Sequence, residues 1–141
     1  MSEGLSPEDF VDGSAWPLLV VRGPKIVDNQ AARSIVSGLV AALDRGQRFC
    51  IHVDMTATTR FEWSEIKVFD AFARANGDRL DTQVAALALV IPSAMVRGAI
   101  RVLFKLKAPG HPYEVLHDRS AADEYIAPFL AGLARRVAAS G

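Results

Sequence analysis

One short stretch of the sequence holds side chains that could do acid–base or nucleophilic chemistry. His52 and Asp54 lie two residues apart, and Cys50 precedes them at the same spacing, in a segment where they alternate with large apolar residues. Such alternation is typical of a β-strand, on which the three side chains share one face. A nucleophile and its base need hydrogen-bond reach, whereas side chains at i and i+2 of a strand lie about 7 Å apart. The spacing therefore favours structural roles, and we assign no catalytic residue.

A basic stripe on a predicted helix beginning at Ser93 is a second candidate. Arg97, Arg101 and Lys105 recur every four residues, and no acidic residue interrupts them. Apolar residues lie opposite, so the stripe could bind an anionic membrane, a phosphorylated ligand or an acidic partner. The alternative is a solvated face whose cations complement the helix dipole near the C-terminal end.

Other chemical signatures are missing. His111 and His117 have no carboxylate or cysteine at ligand spacing, so no metal site is predicted. We find no glycine-rich phosphate loop, zinc-protease motif or hydrolase elbow, and we expect no cofactor. The 16 basic and 16 acidic residues balance, which argues against nucleic acid as a partner. Cys50 is the single cysteine, which excludes an internal disulfide and favours the reducing cytoplasm as the compartment.

The N-terminal residues are expected to have no role in the site. Residues 1–15 are acidic and contain glycine and proline, which predicts a flexible lead-in to a single domain over residues 16–141. An acidic start does not fit a signal peptide, and no apolar run reaches the roughly 18 residues of a membrane span.

Strands and helices alternate along the rest of the chain. Hydrophobic periodicity, caps and turn residues indicate each element. Pro128 falls inside the last one, where a kink or a break is expected. The predicted elements are strands at 16–22 and 25–27, paired as a hairpin, a helix between Asn29 and Gly46, a strand at 48–54, a helix at 62–76, a strand at 84–91, a helix at 93–106, a strand at 113–117 and a helix from Ser120.

This alternation predicts an α/β fold with right-handed crossovers. We expect a single sheet of four to five strands, mixed and mostly parallel, with about four helices packed mainly on one face. The strands at 48–54 and 84–91 carry large residues such as Ile51 on one side and small or polar ones such as His52 and Ala88 on the other. We therefore expect the small-residue face to be thinly covered and open to a ligand, a partner or a second subunit.

The pattern over roughly residues 16–131 resembles the STAS domain, named from sulphate transporters and anti-sigma-factor antagonists. The resemblance rests on a strand ending in an aspartate, Ile51-His-Val-Asp54, and on the later elements in this order. In antagonists of this family, the next loop carries an Asp-Ser-Ser-Gly-type sequence whose serine is phosphorylated by a partner kinase. The matching stretch is Phe61-Glu-Trp-Ser-Glu65, with Glu62 in place of the aspartate, Ser64 near the acceptor, and Trp63 and Glu65 as departures.

The resemblance implies a non-enzymatic regulatory module that binds a protein partner. Its expected contact surface is the loop that includes Thr58, Thr59, Glu62 and Ser64; the structural alternative is that Ser64 or Thr59 caps the following helix.

Two other functions stay open. A likeness to lipid-binding domains of the yeast phosphatidylinositol-transfer type implies a carrier of a small amphiphilic ligand, held near Trp63, Phe69 and the basic helix. An enzyme using His52 and Asp54 is the third hypothesis. A homodimer is compatible with each of these functions.

Overall fold

The computed structural model describes residues 7–61, 63–106 and 110–140. The strands in these ranges are β1 (Val11–Ala15), β2 (Leu18–Arg22), β3 (Ile26–Val27), β4 (Phe49–Asp54), β5 (Arg60–Phe61), β6 (Val84–Val90) and β7 (Tyr113–Leu116). The helices are α1 (Asn29–Leu43), α2 (Trp63–Ala75), α3 (Gly77–Gln83), α4 (Ala94–Leu106) and α5 (Arg119–Ser140).

Five of the strands form one mixed sheet in the order β1-β2-β4-β6-β7. Strands β2, β4, β6 and β7 are parallel to one another, and β1 pairs antiparallel with β2 at the edge. This confirms the predicted α/β class and the mostly parallel sheet. The parallel strands all finish at one end of the sheet, here called the carboxyl edge, so the loops that follow them and the starts of helices α2, α4 and α5 lie there.

Helices α1, α2 and α3 cover one face of the sheet. Helix α1 begins at a cap in which Asp28 Oδ1 accepts a hydrogen bond of 2.8 Å from the backbone N–H of Ala31. Gly38 lets this helix approach β1, because a Cβ at that position would lie 2.6 Å from Cγ2 of Val11. The buried core on this face consists of Phe10, Leu19, Val21, Ala31, Ile35, Ala42, Leu43, Phe49, Ile51 and Val84.

Helix α5 covers the opposite face, which corrects the expectation that this face is open. Ala88 is fully buried and His52 is only 6% exposed, because α5 packs across β4, β6 and β7. Small side chains in the strands let a helix lie close to the sheet, so their presence indicates tight coverage there and not vacancy. The core under α5 contains Cys50, Ala85, Ala86, Ala88, Val90, Ala122, Ile126 and Leu133. Three helices cover one face of the sheet and α5 covers the other, so the prediction that the helices pack mainly on one face is confirmed.

The N-terminal prediction is wrong for residues 11–15, which form strand β1 and not a flexible lead-in. Asp12 in β1 forms an ion pair with Arg22 in β2, with Oδ2 of the carboxylate 3.3 Å from Nη1 of the guanidinium. The predicted hairpin is wrong as well. Strand β2 pairs with β1, whereas β3 pairs in parallel with β5 in a separate two-stranded sheet.

The helices differ from expectation in two places. Helix α3 follows α2 directly and was not predicted, and its Leu80 packs on the first core. Helix α5 continues through Pro128, so of the kink or break expected there, the break does not occur. Among the described residues, no helix is long and apolar enough to cross a membrane.

Candidate functional site

The loop that follows β4 at the carboxyl edge is built on Asp54. The carboxylate Oδ1 of this residue accepts a hydrogen bond of 3.0 Å from the backbone N–H of Thr56, which turns the chain as it leaves the sheet. The loop then runs beside residues 23–25 and ends in β5. Its path is therefore fixed at both ends by backbone pairing.

Thr58 and Thr59 attach this loop to the segment before β3. Thr58 Oγ1 donates a hydrogen bond of 2.7 Å to the carbonyl of Pro24, and Thr59 Oγ1 donates one of 3.3 Å to the carbonyl of Lys25. Gly23 permits this close approach, because a Cβ there would lie 2.5 Å from Thr58 Oγ1. The half-buried Thr58 hydroxyl thus has a structural role, while Thr59 is more exposed.

Ser64 lies in the first turn of α2 and is exposed. Its hydroxyl donates a hydrogen bond of 2.8 Å to Oε2 of Glu65, a carboxylate side chain that is almost fully buried. The predicted capping role is wrong for both hydroxyls, because Ser64 lies inside the helix and Thr59 lies well before its start. Glu62 lies outside the described residues.

Two exposed apolar side chains flank this loop, and they were not predicted as a site from the sequence. Ile26 is 47% exposed and Phe61 is 39% exposed, and they come from the paired strands β3 and β5. The ring of Phe61 packs against that of Phe69 in α2, with centroids 5.9 Å apart. We call Ile26, Phe61 and Ser64 the loop surface. The sequence did not predict this surface, because the expected hairpin paired the strand of Ile26 with β2 and not with β5.

His52 and Asp54 contact the first turn of α5 and not each other. His52 Nδ1 lies 3.7 Å from Oδ1 of Asp123, and Asp54 Oδ2 lies 3.6 Å from Nε of Arg119. No described residue offers a hydrogen-bond partner to His52 Nε2. The two side chains therefore fasten α5 to the end of β4.

Burial sets the direction of the pKa shift for His52 and Cys50 but not for Asp54. It lowers the pKa of His52, although the charges of Asp123 and Asp54 oppose the shift. Burial would raise the pKa of Asp54, but hydrogen bonds from Thr56 and the charge of Arg119 outweigh it and hold that pKa below its usual range. Burial also raises the pKa of the Cys50 thiol to about 11, so the thiol is protonated and a poor nucleophile at neutral pH.

The basic helix α4 directs two of its three predicted cations toward the protein. Arg97 Nη1 donates to the carbonyls of Ile91 and Pro92, both at 2.7 Å, and Arg101 Nη2 donates to the carbonyl of Val115 at 2.7 Å. The Lys105 side chain lies outside the described part of the structure. Arg97 and Arg101 line an open cleft between α4, β7 and α5, whose other charged or polar lining residues are Glu114, His117, Glu124 and Tyr125.

The described side chains do not bring Phe69 and the basic helix together around one cleft. Phe69 packs on the first core and does not line the cleft beside the arginines, which is bordered by acids as well as bases. The Trp63 side chain is outside the described part. The residues that the structure describes also contain no cluster of three or more His, Cys, Asp or Glu side chains that could hold a metal ion.

Comparison of the chain with protein-family models and with curated proteins finds no match. Among solved structures, that of the Bacillus cell fate determinant SpoIIAA in its phosphorylated form is similar, with a TM-score of 0.56. The match covers 82% of this chain and 96% of SpoIIAA, at 16% sequence identity. SpoIIAA is an anti-sigma-factor antagonist with a STAS domain. The chain therefore has the STAS-like α/β fold that its order of elements predicts.

Proposed function

We propose that the chain is a non-enzymatic regulatory module that binds a protein partner through the loop surface. The observation that carries this proposal is the placement of two exposed apolar side chains, Ile26 and Phe61, beside the exposed Ser64 at the start of a helix. Apolar side chains supply binding energy, and a modifiable hydroxyl next to them can control it. The similarity in fold to a protein known in a phosphorylated form supports this assignment.

The chemistry of Ser64 suggests how a phosphate would act. Phosphorylation removes the proton that the hydroxyl donates to Glu65, and it brings a dianion against a buried carboxylate. Repulsion between the two would rearrange the first turn of α2, although the helix dipole favours a phosphate at that end. The rearrangement would move Phe61, three residues earlier, and so change the partner surface.

The buried side chains support a non-enzymatic role. His52 and Asp54 are used to hold α5, and Cys50 is protonated beneath the same helix. None of the three lines the open cleft beside α4. The cytoplasmic location and self-association stay predictions.

The test begins with the protein purified from its own host, in which mass spectrometry should locate a phosphate on Ser64. Immobilised Ser64→Ala should capture a partner that Ser64→Glu does not, and Phe61→Gln should lose the same partner. Thr59→Ala is the matched control, since it removes another exposed hydroxyl from the same loop. Identical captures by all four variants would refute the proposal.

Glu65→Gln tests the mechanism separately from partner binding. With a neutral amide at position 65, the added charge of Ser64→Glu meets no buried carboxylate, so the double variant should regain the partner. If Ser64→Glu fails equally with and without the Glu65→Gln change, repulsion by this carboxylate does not operate the switch.

A further inference from the structure

The open cleft between α4, β7 and α5 carries opposite charges on its two sides. Arg97 and Arg101 of α4 line one side, and Glu114 of β7 and Glu124 of α5 line the other. The cleft has a volume of about 600 Å³. This lies within the roughly 300–1,000 Å³ that is usual for small-molecule sites. No residue of the loop surface lines the cleft, so it is a separate feature of the molecule.

Backbone carbonyls hold both guanidinium groups of the cleft in place. Arg97 Nη1 donates to the carbonyls of Ile91 and Pro92, both at 2.7 Å. Arg101 Nη2 donates to the carbonyl of Val115, also at 2.7 Å. These bonds use one nitrogen of each guanidinium group, which carries N–H donors on three nitrogens. A carbonyl fixes a guanidinium group without neutralising its charge, so both cations can bind an anionic group with little further ordering.

The two glutamates of the cleft do not neutralise these arginines. Glu114 is half-buried, and its Oε1 accepts a hydrogen bond of 3.1 Å from the backbone N–H of Val115. Burial raises the pKa of Tyr125, and the charge of Glu114 adds to the shift, which places this carboxylate near the phenol of α5. Glu124 is exposed one residue earlier in the same helix. Among the side chains that the structure describes, no ion pair joins either glutamate to an arginine of α4.

We propose that this cleft binds a small linear zwitterion, with the carboxylate of the ligand on the two arginines and its ammonium group on the two glutamates. Opposite charges that face each other across a cleft without pairing leave a gap that a dipolar molecule bridges. A simple anion is attracted by one side and repelled by the other, and so is a simple cation. An ω-amino acid and a short peptide with free termini share the required chemistry. The site is independent of the loop surface and of the partner proposed for it.

The test is an NMR titration of the full chain, in which the backbone amide shifts show where each probe binds. The probes are ε-aminocaproate, which carries both charges, and caproate and hexylamine, which carry one charge each on a chain of the same length. We expect ε-aminocaproate to shift the amides of β7 and of the start of α5, and to bind about tenfold more tightly than either single-charge probe. Triglycine then separates the two sources, since tighter binding of triglycine than of ε-aminocaproate would assign the cleft to peptide termini.

Glu124→Gln tests the acidic side of the cleft, because this exposed side chain is part of neither buried core. It should lower the affinity for ε-aminocaproate by about tenfold without weakening the binding of caproate. Asp78→Asn is the matched control, since it removes an exposed carboxylate of α3 that does not line the cleft. Arg101→Gln should weaken the binding of both acids. That variant also loses the bond to Val115, so Glu124→Gln decides the question if Arg101→Gln has a lowered melting temperature.

Three results would overturn the assignment of this cleft. One is binding of caproate or of hexylamine as tight as that of ε-aminocaproate, which would make the cleft a site for a single charge. Another is the absence of saturable amide shifts around the cleft with ε-aminocaproate and triglycine at millimolar concentrations. The third is an unchanged affinity for ε-aminocaproate in both Glu124→Gln and Glu114→Gln, which would place the ligand elsewhere.

Discussion

His52 is a buried imidazole whose charge state affects the attachment of α5. Its folded pKa lies below the ordinary value of 6.5 because of burial, with Arg119 and Arg22 adding to the shift and Asp123 and Asp54 opposing it. The unfolded chain therefore binds the proton more tightly. The stability that depends on neutral His52 is fully present above about pH 6.5 and is lost as the pH falls below it.

We predict that His52→Gln flattens the dependence of stability on pH between about pH 7 and about pH 5. Urea unfolding followed by circular dichroism across that range measures the effect. Asp54 does not interfere, because its folded pKa is below the ordinary 3.8 and its contribution is lost at lower pH. His117→Gln is the control for loss of an exposed imidazole, and an unaltered slope in His52→Gln would contradict the prediction.

Gly38 lies so close to Val11 that adding one methyl group tests the packing of α1 on β1. Alanine favours helix by up to about 1 kcal/mol over glycine, but a methyl group at position 38 would overlap Val11 and cost about 1–3 kcal/mol. We expect Gly38→Ala to lower the free energy of unfolding by about 1 kcal/mol, and Val11→Ala in the same chain to restore part of it. Gly98→Ala, in α4 with nothing within 4 Å of the new methyl, should instead stabilise by up to about 1 kcal/mol.

The roles of single residues were partly predictable from the sequence. The spacing of His52 and Asp54 predicted that their side chains do not bond to each other, and each in fact lies near a separate residue of α5. Those partners, Arg119 and Asp123, could not be identified, because they are more than 60 residues away in the sequence and meet the strand only after the sheet has formed. The partners of Arg97, the carbonyls of Ile91 and Pro92, are near in the sequence, but the direction of its side chain depends on how α4 is placed after β6.

At the scale of elements, the long periodic segments were predictable and the short ones were not. The strand Phe49–Asp54 and the helix Trp63–Ala75 are found close to their predicted bounds, since many residues support each pattern. Strand β3 has only two residues, and its partner β5 lies 34 positions away. Local turn residues favoured a hairpin, but the parallel pairing of β3 depends on how the loop after β4 folds back.

The sequence showed that one face of β4 and β6 carries small residues, but it did not show that a helix covers this face. Cys50, Ala86 and Ala88 form a shallow surface on the sheet, and α5 lies on it with Ala122 fully buried. Sequence pattern alone cannot separate an uncovered surface from one covered by a closely packed helix. The residues of α5 were of little help, because its apolar side chains do not form a narrow stripe.

At the scale of the whole molecule, two cores share one sheet, so neither should unfold alone. Ile126 is a side chain of α5 that is buried against the sheet, whereas Trp16 stacks on Phe49 in the other core with ring centroids 5.0 Å apart. We predict that Ile126→Ala lowers the free energy of unfolding by about 2–5 kcal/mol when Trp16 fluorescence is the probe. Trp63→Phe makes Trp16 the sole indole, and circular dichroism should give the same midpoint. A transition of α5 that precedes the fluorescence change would disprove the cooperative unit.

The bond between Arg101 and Val115 also bears on how the molecule behaves at high concentration. Strand β7 is the last in the sheet, and its Val115 carbonyl points away from β6, which pairs with the carbonyls of Pro112 and Leu116. An open strand edge is a template on which another chain can add by backbone pairing, and such addition leads to aggregation. Because the Arg101 guanidinium donates to that carbonyl, the side chain that joins α4 to β7 also blocks the growth of the sheet from one protein molecule to the next.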